Sequence, residues 1–431
     1  MPKKCKVAAR LLLLISLGAV HSALAQSTDD LGAIRAEIEA LKADNAARVA
    51  GLEARITQLE SQLTANARAV ATIPESSEVV PAPAATASSA AAFNPSISMI
   101  LSGRYARLSQ APQTYQIAGF RPAGEGVGPG ERSFTVGESE LTVAANVDPY
   151  FFANVTASIS GEDTIGVEEA YVKTIALPSG LSLKAGRFFS GIGYLNEIHA
   201  HAWDFTDQPL VYQAFLNGQF AQDGVQLKWL APTDRFVEFG VESGNSRGFP
   251  AVIQDRNGPN NTALFVHTGG DIGDSINWRG GGAWLDSRDD SRTWVADLTF
   301  KWAPQGNMTQ RQLKVQGEYF SRTRRGAAAF DPVELDPPGQ FRGRQSGWYL
   351  QSVYQFLPQW RAGARYDSLD AGRGSVGAAP HRATLMLDWN PSEFTRIRAQ
   401  YAWDDARATV RDRQLFLQYL YSIGAHGAHK F

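Results

Sequence analysis

The chain has 431 residues, a formal charge of −2 at pH 7, 44 % hydrophobic residues and 10 % aromatic ones. So balanced a charge gives no electrostatic reason to expect nucleic acid as a partner. The single cysteine, Cys5, excludes a disulfide framework.

Residues 1–25 read as a signal peptide. Lys3, Lys4, Lys6 and Arg10 form a basic region, Leu11 to Val20 an apolar core, and Ala23-Leu24-Ala25 a cleavage signal. The apolar core is too short to span a bilayer. Cleavage before Gln26 removes Cys5 and four basic residues, taking the formal charge from −2 to −6. Beyond it no apolar run of about 18 residues remains, so no transmembrane helix is expected.

Residues 26–68 read as a coiled coil. Leu31, Ile34, Ile38, Leu41 and Asn45 occupy a and d positions of a heptad. The register slips after Asn45 and resumes with Val49, Leu52, Ile56, Leu59, Leu63 and Asn66. The step from Ile38 to Val49 relaxes the left-handed supercoil locally. So narrow an apolar seam favours self-association over a solitary helix. Residues 69–93, rich in Pro, Ser and Ala without periodicity, read as a flexible linker.

From residue 94 to 431 the period switches to two. Sixteen alternating segments are expected: 96–107, 134–147, 150–160, 166–176, 181–189, 222–231, 234–243, 263–272, 275–285, 293–303, 310–322, 345–356, 359–368, 381–390, 393–402 and 413–423. Short turns and longer loops alternate between them. An exported chain with an even number of such segments points to an all-β, 16-stranded antiparallel transmembrane β-barrel preceded by an α-helical coiled coil. A soluble sandwich is the competing architecture. The tryptophans and tyrosines near segment ends, among them Trp229, Trp294, Trp302, Trp348 and Trp389, fit the aromatic girdles of a barrel instead. Phe431 closing the chain resembles an outer-membrane targeting signal.

Such a barrel should enclose a water-filled channel. Alternation aims Arg361, Arg365, Arg382, Arg396 and Arg398 at the lumen, because a charge on the lipid face costs about 2–4 kcal/mol. Glu138, Glu140, Glu169, Glu238, Glu242 and Glu318 form an acidic inward set. The longest connection, 190–221, is too apolar and aromatic for disorder and has room for a short helix within Leu210 to Phe220. Its stretch LNEIHAHAWDFTDQP carries Glu197, His199, His201, Asp204 and Asp207. These residues are the expected pore constriction, facing the basic wall across a transverse field. Imidazole and carboxylate together suit divalent cations. His199, His201 and Asp204 are therefore a candidate metal set, for a transiently held ion and not a resident cofactor. The competing reading is an ordered acidic loop with hydrogen-bonded histidines.

A sixteen-stranded barrel with a long loop after its fifth strand resembles the outer-membrane porins. The N-terminal coiled coil resembles the phosphate-selective (O and P) porins. The run GRFFSGIGYLNEIHAHAWDFTDQPLVYQAFLNGQFAQDGVQLKWLAP is similar to a subgroup often labelled zinc-regulated TonB-dependent outer membrane receptors. The resemblance implies an outer-membrane location in a Gram-negative cell, with the coiled coil in the periplasm. It also implies contact with outer-membrane lipid, homotrimeric self-association and passive diffusion of small hydrophilic solutes or ions, divalent metal such as zinc included. A TonB-dependent transporter needs a plug inside a 22-stranded barrel, and only the coiled coil and linker precede residue 96. The receptor is therefore the alternative, together with a phosphate- or anion-selective porin. The latter is weakened by the absence of Lys or Arg between Arg187 and Lys228. No G-x-S-x-G elbow is present, and no enzymatic activity is expected.

Overall fold

The computed structural model describes residues 42–43, 95–120, 127–159, 164–246, 257–327, 340–372 and 379–424. The chain divides into two units, Met1–Thr86 and Ala87–Phe431. In the first, residues 42 and 43 are helical. The signal peptide, nearly all of the coiled coil, the linker and terminal Phe431 lie outside the described residues.

The second unit is one closed antiparallel sheet. Its strands are β1 (Ser96–Leu108), β2 (Ser133–Val136), β3 (Ser139–Asn146), β4 (Phe151–Ile159), β5 (Ile165–Thr174), β6 (Leu181–Phe189), β7 (Ala221–Leu230), β8 (Phe236–Ser246) and β9 (Asn261–Ile272). They continue with β10 (Ile276–Ser287), β11 (Ser291–Trp302), β12 (Gln312–Ala327), β13 (Gln340–Leu357), β14 (Trp360–Asp370), β15 (His381–Ser392), β16 (Thr395–Asp405) and β17 (Asp412–Gly424). β1 pairs with β17 from Ser98↔Gly424 to Leu108↔Gln414, which closes the ring.

β2 and β3 are two pieces of one stave, since both pair with β1. The segment 134–147, expected to run unbroken, is interrupted at Gly137 and Glu138. A Cβ at Gly137 would stand 2.6 Å from Ser102 Oγ, so the chain passes β1 too closely for a side chain there. Glu138 lies at this break, solvent-accessible and beside the inward Glu168. Counting the two pieces as one stave gives a 16-stranded barrel.

Alternation orients the staves. Along β15, Arg382, Thr384, Met386 and Asp388 are buried, while Leu385, Leu387 and Trp389 are exposed. Trp294, Tyr319, Trp348 and Tyr366 stand on the same outer face of their strands. Short connections gather at one end of the barrel and most longer ones at the other. The interior departs from expectation. Loop 190–220 turns inward and fills the long-loop half with a packed apolar core.

An arginine on the outer face would expose the guanidinium to hydrocarbon. Leu385→Arg should lower barrel stability by about 2–4 kcal/mol in urea titrations from lipid vesicles. An unchanged midpoint would show that Leu385 does not face lipid.

Candidate functional site

The inward turn begins at Ser190. Gly191 N–H donates to Glu242 at 2.8 Å, and Ser190 Oγ donates to the same carboxylate at 2.5 Å. Tyr194 and Leu195 N–H donate to Glu318 at 3.2 and 3.1 Å. Gly193 has φ +70°, and a Cβ there would stand 2.3 Å from Glu318 Oε2. The sequence SGIGYL thus turns the backbone against two wall glutamates. Asn196 joins the loop's two ends. It donates to Ser190 O (2.7 Å) and Phe220 O (2.9 Å), and accepts from Phe220 N–H (2.7 Å).

The expected helix is α1 (Leu210–Leu216), every residue of which is buried. Its Leu210 N–H donates to Asp367 of β14 at 2.9 Å, satisfying a terminal amide that has no partner within the helix. Asn217 ends it in the left-handed conformation, at φ 58°. Phe215 and Tyr212 meet Phe320 of β12 at ring separations of 5.8 and 5.3 Å.

Charged side chains tie the loop to the wall on several sides. Asp204 meets Lys314 of β12 at 2.9 Å and Arg361 of β14 at 3.3 Å. Asp207 meets Arg365 and Arg382 at 2.8 Å each. Arg361 continues to Asp388, which Arg398 holds at 2.7 Å. Arg396 donates to the carbonyls of His201 and Trp203 at 3.1 and 3.2 Å. Toward the other wall, Glu197 meets Lys228 of β7 at 3.0 Å. His199 and His201 reach β3 and β5. His199 Nδ1 lies 3.2 Å from Glu140 and 3.0 Å from Glu168, His199 Nε2 lies 3.1 Å from Glu169, and His201 Nδ1 lies 2.8 Å from Glu140.

The five arginines do line the interior, but two expectations are corrected. The basic wall and the loop carboxylates do not face each other across an open eyelet. Asp204 and Asp207 touch the cations directly, because Pro209 and α1 carry that half of the loop onto β12–β15. Asp204 also does not join the histidines as a ligand. Lys314 and Arg361 hold it on the basic wall, while His199 and His201 lie against glutamates of β3 and β5.

The residue that alternation missed is Glu168. It neighbours the inward Glu169 and should face outward. A bulge in β5 intervenes: Thr156 pairs with Glu169 and Ala157 with Val167, leaving Glu168 as the extra residue. Bulges re-aim side chains in this way. The available signal was the adjacent pair Glu168-Glu169, since a regular strand would have set one of them in lipid.

Burial alone would raise the carboxyl pKa values of the loop. At Asp204 the neighbouring Lys314 and Arg361 outweigh burial and hold it well below the usual range. At Asp207, Arg382 and Arg365 do the same, bringing it down to about 2. At His199 burial disfavours the charged ring, but hydrogen bonds to Glu140, Glu168 and Glu169 raise its pKa well above the usual value.

Below the loop, a cavity of about 1730 Å³ extends to the short-turn end, where Ser96, Phe152, Lys173, Asp234 and Asn277 line it. Tyr194, Glu197, His199 and His201 line it on the loop side.

No family model matches the chain. An uncharacterized protein of Aquifex aeolicus (strain VF5) is 32 % identical over 341 residues, covering 70 % of this chain and 71 % of that protein. The chain belongs to the same family as that protein. Among solved structures, a loop L8 deletion mutant of OmpT, an outer membrane protein of Vibrio cholerae, has a TM-score of 0.51 at 11 % identity, covering 77 % of this chain and 99 % of its own. The outer membrane channel DcaP of Acinetobacter baumannii has a TM-score of 0.51 at 10 % identity, covering 77 % and 97 %. An anion-selective porin from Comamonas acidovorans has a TM-score of 0.50 at 10 % identity, covering 77 % and 99 %. This chain therefore has the sixteen-stranded fold of the outer-membrane porins.

Two outcomes are expected of the basic wall. Arg382→Met leaves Asp207 without one of its two cations and should cost about 3–5 kcal/mol, as a broken buried pair does. Arg292→Ala removes an exposed pair with Asp286 and should cost under about 1 kcal/mol. Equal shifts in the urea midpoint would contradict the assigned burial. The Asp207 carboxyl has its pKa depressed in the folded state, so its stabilising effect is complete above the unfolded value of 3.8 and is lost as pH falls toward about 2. Asp207→Asn should flatten the pH dependence of stability in that window and leave it unchanged near neutrality.

Proposed function

We propose that the protein is an outer-membrane channel through which small hydrophilic solutes or ions diffuse passively, with loop 190–220 as its constriction. The carrying observation is a closed barrel, apolar outside and charged inside, whose cavity runs from the short-turn end to the loop. The loop residues Glu197, His199 and His201 are only partly buried and line the cavity. A crossing solute would pass that edge. The porin fold supports the outer-membrane location, and homotrimeric assembly is part of the same proposal. In this reading the N-terminal coiled coil stands in the periplasm and adds to self-association.

The paired arginines argue against the anion-selective alternative. Arg361, Arg365, Arg382 and Arg398 each meet a carboxylate. An anion would have to displace Asp204, Asp207 or Asp388. The barrel has sixteen staves, not the 22 of plugged transporters, which argues against the TonB-dependent alternative.

Purified protein in planar bilayers should give stepwise ionic currents. Absence of any step from correctly folded protein would overturn the channel reading. Asp204→Asn together with Asp207→Asn should free one half of the constriction and give larger or less steady steps than the wild type.

A further inference from the structure

The bulge in β5 has a chemical consequence. It places the consecutive residues Glu168 and Glu169 on the same side of the strand, both directed at His199. We propose that Glu140, Glu168 and His199 bind a divalent transition-metal ion of the zinc type at the loop-side end of the cavity. The inference goes beyond the channel reading and does not depend on conduction.

The ligand geometry supports it. One atom from each of Glu140, Glu168 and His199 can be chosen so that all lie within 4.8 Å of one another. His199 Nδ1 lies 3.0 Å from Glu168 Oε2 and 3.2 Å from Glu140 Oε2. A tetrahedral ion with bonds of about 2.1 Å separates its ligand atoms by about 3.4 Å. The two edges that include His199 lie within a few tenths of an ångström of that separation, and the edge between the two glutamates is at most 4.8 Å. Imidazole with carboxylate is a donor set for zinc and its first-row neighbours. It is a poor one for magnesium or calcium, which prefer oxygen alone.

The orientation of His199 and of Glu140 is also set from outside. Metal-bound histidines usually donate their second ring N–H to a carboxylate. Here His199 Nε2 faces Glu169 Oε2 at 3.1 Å, so a bound ion would take the place of the Nδ1 proton, between Glu140 and Glu168, while Nε2–H stays on Glu169. Glu169 is itself fixed, accepting Phe189 N–H at 3.2 Å through its other oxygen. His201 holds Glu140 Oε1 at 2.8 Å and stacks on His199 at a ring separation of 5.8 Å, leaving Glu140 Oε2 for the site. Glu140, Glu169, His199 and His201 line the cavity, which gives an ion access and leaves room for water as a fourth ligand.

The test is equilibrium binding of Zn²⁺ to the purified full-length barrel in detergent, with Co²⁺ as a spectroscopic probe. Expected are one equivalent of Zn²⁺ and a visible Co²⁺ band of tetrahedral type. Glu168→Gln and His199→Gln should abolish both. Glu169→Gln, which leaves all three ligands in place, should weaken binding by roughly 10–100-fold. The pair His426→Gln and His429→Gln, in the tail, should change nothing. Circular dichroism establishes that each variant is folded. If Glu168→Gln unfolds the barrel, Glu169→Gln decides the matter. Three results would each overturn the site: no binding by the wild type, wild-type affinity in Glu168→Gln and Glu169→Gln, or loss of binding with the tail histidines. A barrel that binds zinc without conducting would refute the channel and leave the site standing.

Discussion

The interior of this barrel depends on Asp207 lying between Arg365 and Arg382, 2.8 Å from each. Sixteen staves enclose more space than their own side chains fill, so the lumen's shape is decided by what folds into it. Loop 190–220 is long enough and apolar enough to do so, but apolar contact is not directional. The ion pairs supply direction. Net of desolvation, buried pairs contribute little to stability, and removing one partner is costly. Their effect is to make one placement of the loop much better than its neighbours.

The loop's two halves have different surroundings. From Trp203 to Leu216 it is mostly buried, with carboxylates matched to cations and α1 against β12–β14. From Glu197 to His201 it borders the cavity, and both histidines face glutamates. Packing and paired charge thus fix one half, while the other presents ionisable groups to a solvent-accessible space. The glutamates of β3 and β5 meet the histidines on one side of the loop, and the cations of β12–β16 meet Asp204, Asp207 and Asp388 on the other, so charge is matched within each side.

The staves were legible in the sequence because lipid and water impose opposite demands on alternate residues. Leu385, Leu387 and Trp389 against Arg382, Thr384 and Asp388 allow one solution only. α1 was legible from the spacing and apolar density of LVYQAFL. The interruption at Gly137 and the bulge at Glu168 were not, since each depends on how closely a neighbouring strand passes. Nor was the partner of each charge. Asp204 lies three residues from His201, yet it meets Lys314 and Arg361 while the histidine meets Glu140. His201 sits within one 3₁₀ segment, Ala200–Ala202, and Asp204 lies beyond its end, and local spacing carries no sign of that turn. Glu242 and Glu318 read as lumen charges, and three-dimensional placement alone shows them accepting the loop's backbone amides.

Loop 190–220 is a fixed part of the barrel interior. Hydrogen exchange of its amides tests this most directly, because Gly191, Tyr194, Leu195, Thr206, Leu210 and Phe220 donate to buried or partly buried side-chain acceptors. Exchange read by mass spectrometry on peptides from this loop should be as slow as that of the flanking strands β6 and β7. Exchange as fast as that of an open surface loop would mean that the loop leaves the lumen freely, and the account would fail.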